Sequence, residues 1–463
     1  MRRLSLALIV LVLAGCSSSH KTSEPSVPPS SPATQSSPAP STGGSAPPSL
    51  VADWPTYHGD FARTGRATTF PPPKALRIAA NVKLDGQVYA SPIVARGVTV
   101  VATEQDSVYG LDNDGRQLWR RNLGEPARSG DLPCGNIDPS GITGTPVYAD
   151  GVVYVVPEYR SPVRHELVAL DVSTGKALWR VSVDLPGADP SAMQERGALT
   201  IAGGRVWVPF GGRAGDCGDY KGRIVGVPLD GRGAPIAYTV PTPREGGIWT
   251  PPGPTVDSTG QLYVAVGNGE HGRGDAYDYS DSVLQIGVDA KLLDSFSPTT
   301  WGSDNEDDLD LGSLGPVLVG SKWVFIAGKS GTGYVLRQGQ MGGVGGQVWQ
   351  GALCRGFGGA AVDGDVVYVP CDDGVRAVRV DSAGAVHVLW HASGSIAGSP
   401  VIGGGRVWAL DQEGGVLHAL DPATGRSTHQ IAVGVTSRFA TPALHGDHVL
   451  VPTLAGLTIV AVG

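Results

Sequence analysis

Glu166-Leu-Val-Ala-Leu-Asp-Val-Ser-Thr-Gly-Lys-Ala-Leu-Trp-Arg180 reads as a strand, a tight turn and a second strand. Leu167 to Asp171 is an apolar run of strand length. Asp171 to Gly175 carries turn chemistry, with a glycine able to take positive φ. Leu178 and Trp179 begin the return strand. Relatives of this hairpin recur at Val108-Tyr-Gly-Leu-Asp112 with Leu118-Trp119, and at Leu417-His-Ala-Leu-Asp421 with Thr424-Gly425. A hairpin repeated in this way is half of a four-stranded unit, and internal repetition decides the architecture before any single residue does.

Working outward, short apolar β-rich runs appear at Val98–Ala102, Val152–Val156, Arg205–Phe210, Gln261–Val266, Lys322–Ala327, Val366–Cys371, Arg406–Leu410 and His448–Thr453. A Gly/Asp/Ser turn precedes each. Before most of those turns lies a strand of small residues, such as Tyr89-Ala-Ser-Pro-Ile-Val94, Ile142-Thr-Gly-Thr-Pro-Val147, Ile396-Ala-Gly-Ser-Pro-Val401 or Arg438-Phe-Ala-Thr-Pro-Ala443. The repeat spacing, roughly 50 residues, suits propeller blades. Blades pack face to face, so their strands are apolar on both sides. The innermost strand nears the crowded axis and takes Gly, Ala, Ser and Thr, and its unpaired inner edge tolerates proline. The expected fold is all-β: a closed β-propeller of four-stranded blades, about eight in number, with seven as the alternative. The Gly-His and Trp-Asp marks of WD40 repeats are absent.

The last unit, Arg438–Ala443, His448–Thr453 and Leu457–Ala461, is one strand short. At the other end, Leu76–Leu84 forms an orphan strand. The expectation is that it completes the last blade and removes two open edges. The long connections are 122–141, 184–198, 211–221, 267–281 and 299–311. In a propeller these share one end, and long loops on a rigid scaffold are where function gathers. Cys134, Cys217, Cys354 and Cys371 fall at that end too. Three pairings are possible. Position favours Cys134 with Cys217 and Cys354 with Cys371, the second closing a short loop worth about 3 kcal/mol.

The chain has 463 residues, 68 Gly, 36 Pro, a formal charge of −8 and only 17% charged residues. That balance fits neither a disordered polyanion nor a basic nucleic-acid binder. Residues 1–16 read as a signal peptide: Arg2 and Arg3, an apolar core Leu4–Leu13 too short to span a membrane, then Leu13-Ala14-Gly15-Cys16, which has the form of a bacterial lipobox. Cys16 is then the lipidated first residue of the mature chain. Residues 17–50, rich in Ser, Pro, Thr and Gly, read as a disordered tether, and 51–463 as the propeller. The expected location is a cell membrane, lipid-anchored on the extracytoplasmic side, and the expected state is a monomer.

The repeat with its Leu-Asp-x-x-Thr-Gly-Lys-x-Leu-Trp form resembles that of pyrroloquinoline quinone (PQQ) propellers. The stretch Asp53-Trp-Pro-Thr-Tyr-His-Gly-Asp60 with Arg63-Thr-Gly65 resembles their start. Two classes share the repeat: quinoprotein alcohol dehydrogenases and non-catalytic propeller lipoproteins such as the outer-membrane assembly factor. Four segments resemble the dehydrogenase pattern. Gly246-Gly-Ile-Trp249 is similar to the segment whose tryptophan floors the quinone. Ala265-Val-Gly-Asn-Gly269 is similar to that whose asparagine, here Asn268, ligates calcium. Leu309-Asp-Leu-Gly-Ser313 is similar to that holding the catalytic aspartate, here Asp310. Ala327-Gly-Lys-Ser-Gly331 is similar to that whose lysine, here Lys329, contacts the quinone carbonyls. The resemblance thus implies PQQ and calcium as cofactors.

Departures accompany the matches. The slot of a calcium-binding glutamate holds Cys217, with Asp216 or Asp219 beside it. The adjacent cysteine pair of the dehydrogenases is missing, and no Cys-x-x-Cys-His haem-attachment motif occurs in the sequence. Bland readings also stand: Trp249 as a blade cap, Asn268 as a turn residue between glycines, and Asp304–Asp310 as a solvated acidic loop. The leading expectation is a lipid-anchored extracytoplasmic propeller that binds a ligand or a protein partner on its loop-rich face. The alternative is a calcium- and PQQ-dependent alcohol dehydrogenase-like oxidoreductase.

Overall fold

The structure is a computed structural model that describes residues 52–463 apart from Ser393. The expected signal peptide, the lipobox Cys16 and the tether lie outside the described residues.

The repeated hairpin forms as its residues dictate. Arg164–Asp171 pairs antiparallel with Ala177–Ser182. Asp171 Oδ1 accepts from the amides of Ser173 (3.1 Å) and Thr174 (2.9 Å) and from the Thr174 hydroxyl (2.7 Å). Gly175 takes φ +65° and its amide closes the turn onto the Asp171 carbonyl. The glycine has a second cause. Trp119 of the preceding blade lies against it, and a Cβ there would come within 2.3 Å of the ring. The Trp119 indole N–H donates to the Val172 carbonyl at 2.8 Å. Trp390 repeats the joint, donating to Pro422 O at 2.8 Å and packing on Gly425. The Thr-Gly…Trp pattern therefore couples neighbouring blades: a tryptophan from one docks on the turn glycine of the next.

Eight sheets follow one another around a ring. The first blade runs Ile93–Ala95, Val98–Ala102, Ser107–Leu111 and Gln117–Asn122. The inner strands of blades two to eight begin at Val147, Thr200, Thr255, Val317, Ala361, Val401 and Ala443. Middle strands are buried on both faces, as at Leu262–Val266 and Ser282–Ile286, because each is clamped between blades. Outer strands meet water; in Gln117–Asn122 only Trp119 is buried. The eighth blade is closed by Arg77–Lys83, which pairs antiparallel with Gly456–Ala461. The orphan strand therefore latches the ring as expected.

The inner edges, expected to stay unpaired, are partly met by residues 54–65. Trp54 exchanges backbone bonds with Val94, Pro55 O accepts from Tyr148 N, Phe61 O from Val256 N, Thr64 O from Val362 N and Gly65 O from Ile402 N. Arg63 donates to the Leu199 carbonyl, and the Tyr57 hydroxyl meets Thr441 Oγ1 at 3.0 Å. One segment thus touches the inner edges of seven of the eight blades, five of them within the inner strand and two, at Leu199 and Thr441, just before it. It floors the central channel there, so the hub is reached from the loop-rich end.

Both expected disulfides form, Cys134–Cys217 and Cys354–Cys371. The first joins the loop entering blade two to the loop inside blade three. The second joins the exit of blade five to blade six.

Candidate functional site

A cavity of about 520 Å³ opens at the hub on the loop-rich end. Trp249, Asn268, Asp310 and Lys329, read from four separate segments of sequence, all line it.

Each is positioned by its blade. Asn268 follows the second strand of blade four, Leu262–Val266, and Lys329 follows that of blade five, Trp323–Ala327. Asp310 lies just before the turn Leu311–Ser313 that leads into blade five. The Asn268 amide donates to Asp310 Oδ1 at 2.8 Å, and the Lys329 ammonium ion-pairs with Asp310 Oδ2 and with Asp308 Oδ1, the latter at 2.7 Å. The Asn268 side-chain amide also donates to Asp308 Oδ1 at 2.9 Å. Gly267 makes this packing possible: a Cβ there would lie 2.2 Å from Asp310 Oδ1 and 2.9 Å from Trp249 Nε1. Trp249 itself stands over Gly211, whose Cβ would meet it at 2.7 Å.

Charge follows from burial. Asp310 is 6% exposed, and desolvation pushes its carboxyl above the usual range against the pull of Lys329. Burial lowers the Lys329 ammonium, but Asp310 and Asp308 outweigh it and hold it above its ordinary value. Asp308, much more exposed, is held below its usual range: burial raises it, and Lys329 prevails. Behind them, fully buried Asp281 accepts from Leu311 N at 2.8 Å and is driven well above the carboxylate range by burial and by Asp310. That bond fixes the turn that carries Asp310.

The bland readings can be weighed against these contacts. Trp249 is a cavity wall, while Trp119 and Trp390 do the blade-capping. Asn268 does not take positive φ, so backbone preference does not account for it. Its Oδ1 is buried with no hydrogen-bond partner. Such an orphaned oxygen suits a hard cation. Around it, Asp310 and Asp216 also line the cavity. Asp216 accepts from the Tyr220 hydroxyl at 2.5 Å. Asp219, the other candidate for the glutamate slot, does not line the cavity, and Cys217 is consumed by its disulfide. Among the described residues no group of three or more His, Cys, Asp or Glu stands close enough to hold a metal. A cation at Asn268 would therefore share its coordination with oxygens of a bound ligand. A flat anionic quinone fits the remainder: an indole face for the ring and lysine and arginine for its charge.

The sequence reading missed Tyr89, Arg196 and Phe439, which line the same cavity. A signal existed. Tyr89 and Phe439 stand two residues before the Ser91-Pro92 and Thr441-Pro442 pairs of their inner strands, and Arg196 holds the matching place before Ala198-Leu199. That position faces the hub in each blade concerned.

Comparisons with known proteins bear on both fold and kinship. The chain is similar to the polyvinylalcohol dehydrogenase of Sphingopyxis sp. (strain 113P3), 28% identical over 254 residues that cover 43% of this chain and 37% of that protein. The match thus spans little more than a third of the length of that relative. Among solved structures, a quinohemoprotein alcohol dehydrogenase from Pseudomonas putida HK5 superposes with a TM-score of 0.70 at 14% identity, covering 89% of this chain and 80% of that one. BamB from Moraxella catarrhalis gives 0.56 at 16% identity, covering 83% and 97%. At these identities the likeness is one of fold. A family model, described as outer membrane protein assembly factor BamB, matches residues 78–276 and 342–462, most of the propeller. On that match, and with an eight-bladed ring of four-stranded sheets to carry it, the chain belongs to this PQQ-repeat propeller family, related to both quinoprotein dehydrogenases and BamB.

Proposed function

We propose that the hub cavity binds a planar anionic quinone of the PQQ class together with a divalent cation, and that the protein is an alcohol-oxidising dehydrogenase. The observation that carries this reading is the convergence of Trp249, Asn268, Asp310 and Lys329 on one cavity from four separate segments. The partial match to a polyvinylalcohol dehydrogenase supports the same class. Trp249 would hold the ring by stacking, Lys329 would meet its carbonyl oxygens, and Asn268 Oδ1 with Asp310 would face the cation. When bound, the quinone supplies a two-electron acceptor and the cation polarises it.

The chain's own contribution is acid–base. Asp310 Oδ accepts the hydroxyl proton of an alcohol, and its raised affinity for protons suits that role. Lys329 holds the carboxylate in place until the proton arrives. The test is dye reduction by the protein loaded with PQQ and calcium, given a panel of primary, secondary and polymeric alcohols. Turnover that Asp310→Asn abolishes supports the reading, and no turnover on any alcohol removes it.

A second reading is a binding propeller that takes a ligand or protein partner on the loop-rich face without catalysis. The loss of the glutamate slot to a disulfide favours it. Quinone binding without turnover would select it. The pattern of Arg2-Arg3, Leu4–Leu13 and Leu13-Ala14-Gly15-Cys16 supports a lipid anchor that places either activity on the extracytoplasmic side of a membrane. Fatty-acid labelling in a bacterial host, lost in Cys16→Ser, tests the anchor.

A further inference from the structure

Three acids are buried together where blades one, two and three meet, and none of them lines the hub cavity. Glu104 and Asp106 lie in the turn that joins Val98–Ala102 to Ser107–Leu111 in blade one. Glu195 comes just before the inner strand of blade three. Their exposures are 0%, 0% and 4%. Five of their six carboxyl oxygens are buried with no hydrogen-bond partner.

The three acids grip one segment, residues 140–145, which leads into the inner strand of blade two at Val147. Glu104 Oε2 accepts from Gly141 N at 2.7 Å and from the Thr143 hydroxyl at 3.1 Å. A Cβ on Gly141 would stand 2.8 Å from Asp106 Oδ1, and one on Gly144 would collide with the Glu195 carboxyl. The segment has no strand pairing beyond an isolated bridge of Ser140 to Ala127. Upstream it continues into the loop 122–141, which reaches the hub: Asn136 lines the cavity, and Cys134 is joined to Cys217 beside Gly215 and Asp216 of the cavity rim.

The cations in reach do not neutralise these acids. Arg213 is spent on Glu158 and the Ser191 carbonyl. His165 lies between Glu158, 3.8 Å away, and Asp184, 2.8 Å away. Arg164 lies over the Tyr159 ring at 4.3 Å, and Arg196 over the rings of Trp249 and Phe439. Glu158 and Tyr89 are the other titratable groups that face Glu104. Burial therefore keeps the acids protonated: it raises Glu104 to about 8 and Asp106 to about 9, and drives Glu195 well above the carboxylate range. Once ionised, a carboxylate in such a place must gain water or a cation.

We propose that Glu104, Asp106 and Glu195 form an alkaline trigger for the hub rim: as neutral acids they lock residues 140–145 between the blades, and on ionising they release that segment together with the loop 122–141. The trigger is independent of which ligand the hub takes. Its sign follows from the buried acids. The closed form keeps protons that the open form gives up, so closure is favoured fully below the ordinary carboxylate range and is lost as pH rises through about 8 to 9.

The experiment is hydrogen–deuterium exchange of the purified full chain between pH 6 and 10, read by mass spectrometry and normalised to unstructured peptides. Peptides from 122–145 should lose protection about tenfold or more between pH 7 and 10, as release of a proton through that range gives. Trp323–Ala327 in blade five should stay protected. Glu104→Gln should remove part of the change, and the triple variant Glu104→Gln, Asp106→Asn, Glu195→Gln should flatten it. His165→Gln, which removes a group titrating over the same range, should leave most of it. In the wild type, phosphine reduction of Cys134–Cys217 should quicken over the same range while that of Cys354–Cys371 is unchanged. Protection of 122–145, or a reduction rate of Cys134–Cys217, that does not vary with pH in the wild type overturns the proposal. So does simultaneous exchange of 122–145 and Trp323–Ala327, which would be failure of the whole ring. A fall that survives intact in Glu104→Gln and in the triple variant belongs to other groups and overturns it as well.

Discussion

The backbone amide of Asn268 donates to the carboxylate of Asp310 across 2.8 Å, joining the second strand of blade four to the turn that opens blade five. Forty-two residues of chain separate the two, and no local pattern pairs them. The bond leaves the Asn268 side-chain oxygen buried and idle beside a carboxylate that is itself held by Lys329. An oxygen buried without a partner is costly for a merely structural turn, and the proposed cation would satisfy it.

The Lys329–Asp310 pair is largely removed from water, with side-chain exposures of 15% and 8%. Lys329→Met should destabilise the protein by about 3 kcal/mol, because it strands a buried carboxylate. The double variant Lys329→Met with Asp310→Asn should recover most of that. Urea unfolding of the two singles and the double measures it; a loss in the double equal to the sum of the two single losses would show that the residues act independently.

Gly175 and Gly97 separate two costs of replacing a glycine. Both take positive φ, +65° and +77°. A Cβ at Gly97 meets nothing within 4 Å, whereas at Gly175 it strikes Trp119. Gly97→Ala should cost about 1 kcal/mol of backbone strain. Gly175→Ala should cost at least about twice that, since a joint between blades must also open. Thermal denaturation compares them directly.

His165 is buried between Glu158, 3.8 Å away, and Asp184, 2.8 Å away. Burial alone would lower its pKa, but the bond to Asp184 and the nearby carboxylate of Glu158 win and raise it from 6.5 to about 9. A raised histidine stabilises the fold fully below its unfolded pKa of 6.5, and that contribution is lost as pH climbs through about 9. Glu104 acts in the same direction: burial raises it from 4.5 to about 8, so the fold keeps a proton that the unfolded chain has released across that window. The urea midpoint should therefore fall between pH 6.5 and 9. His165→Gln and Glu104→Gln should each flatten part of that slope.

Deleting residues 52–84 should remove both the latch on blade eight and the floor of the channel. The exposed edge of Gly456–Ala461 would then invite pairing with other chains. Size-exclusion chromatography of the truncated protein should show aggregates in place of a single folded species.

The ring was legible because it repeats. Thr-Gly…Trp recurs, and the structure gives its reason in Trp119 on Gly175 and Trp390 on Gly425. The closing strand was legible as a strand left over beside a blade left short. The two cysteine pairs followed from their place at one end. The crossing of residues 54–65 under the hub was not legible, since it pairs once with each of several distant inner strands and has no period. Trp249, Asn268, Asp310 and Lys329 were found through motif resemblance, which fixes order along the chain but says nothing of mutual contact. Arg196 escaped because its blade replaces an aromatic by a cation within an otherwise ordinary repeat.

The central claim is tested most directly by equilibrium titration of the purified protein with PQQ, with and without calcium, followed by tryptophan fluorescence and by the quinone absorbance. The account predicts saturable binding at one site per chain, strengthened by calcium and lost in Trp249→Ala and Lys329→Met. No saturable change, or binding that both variants leave untouched, would contradict it.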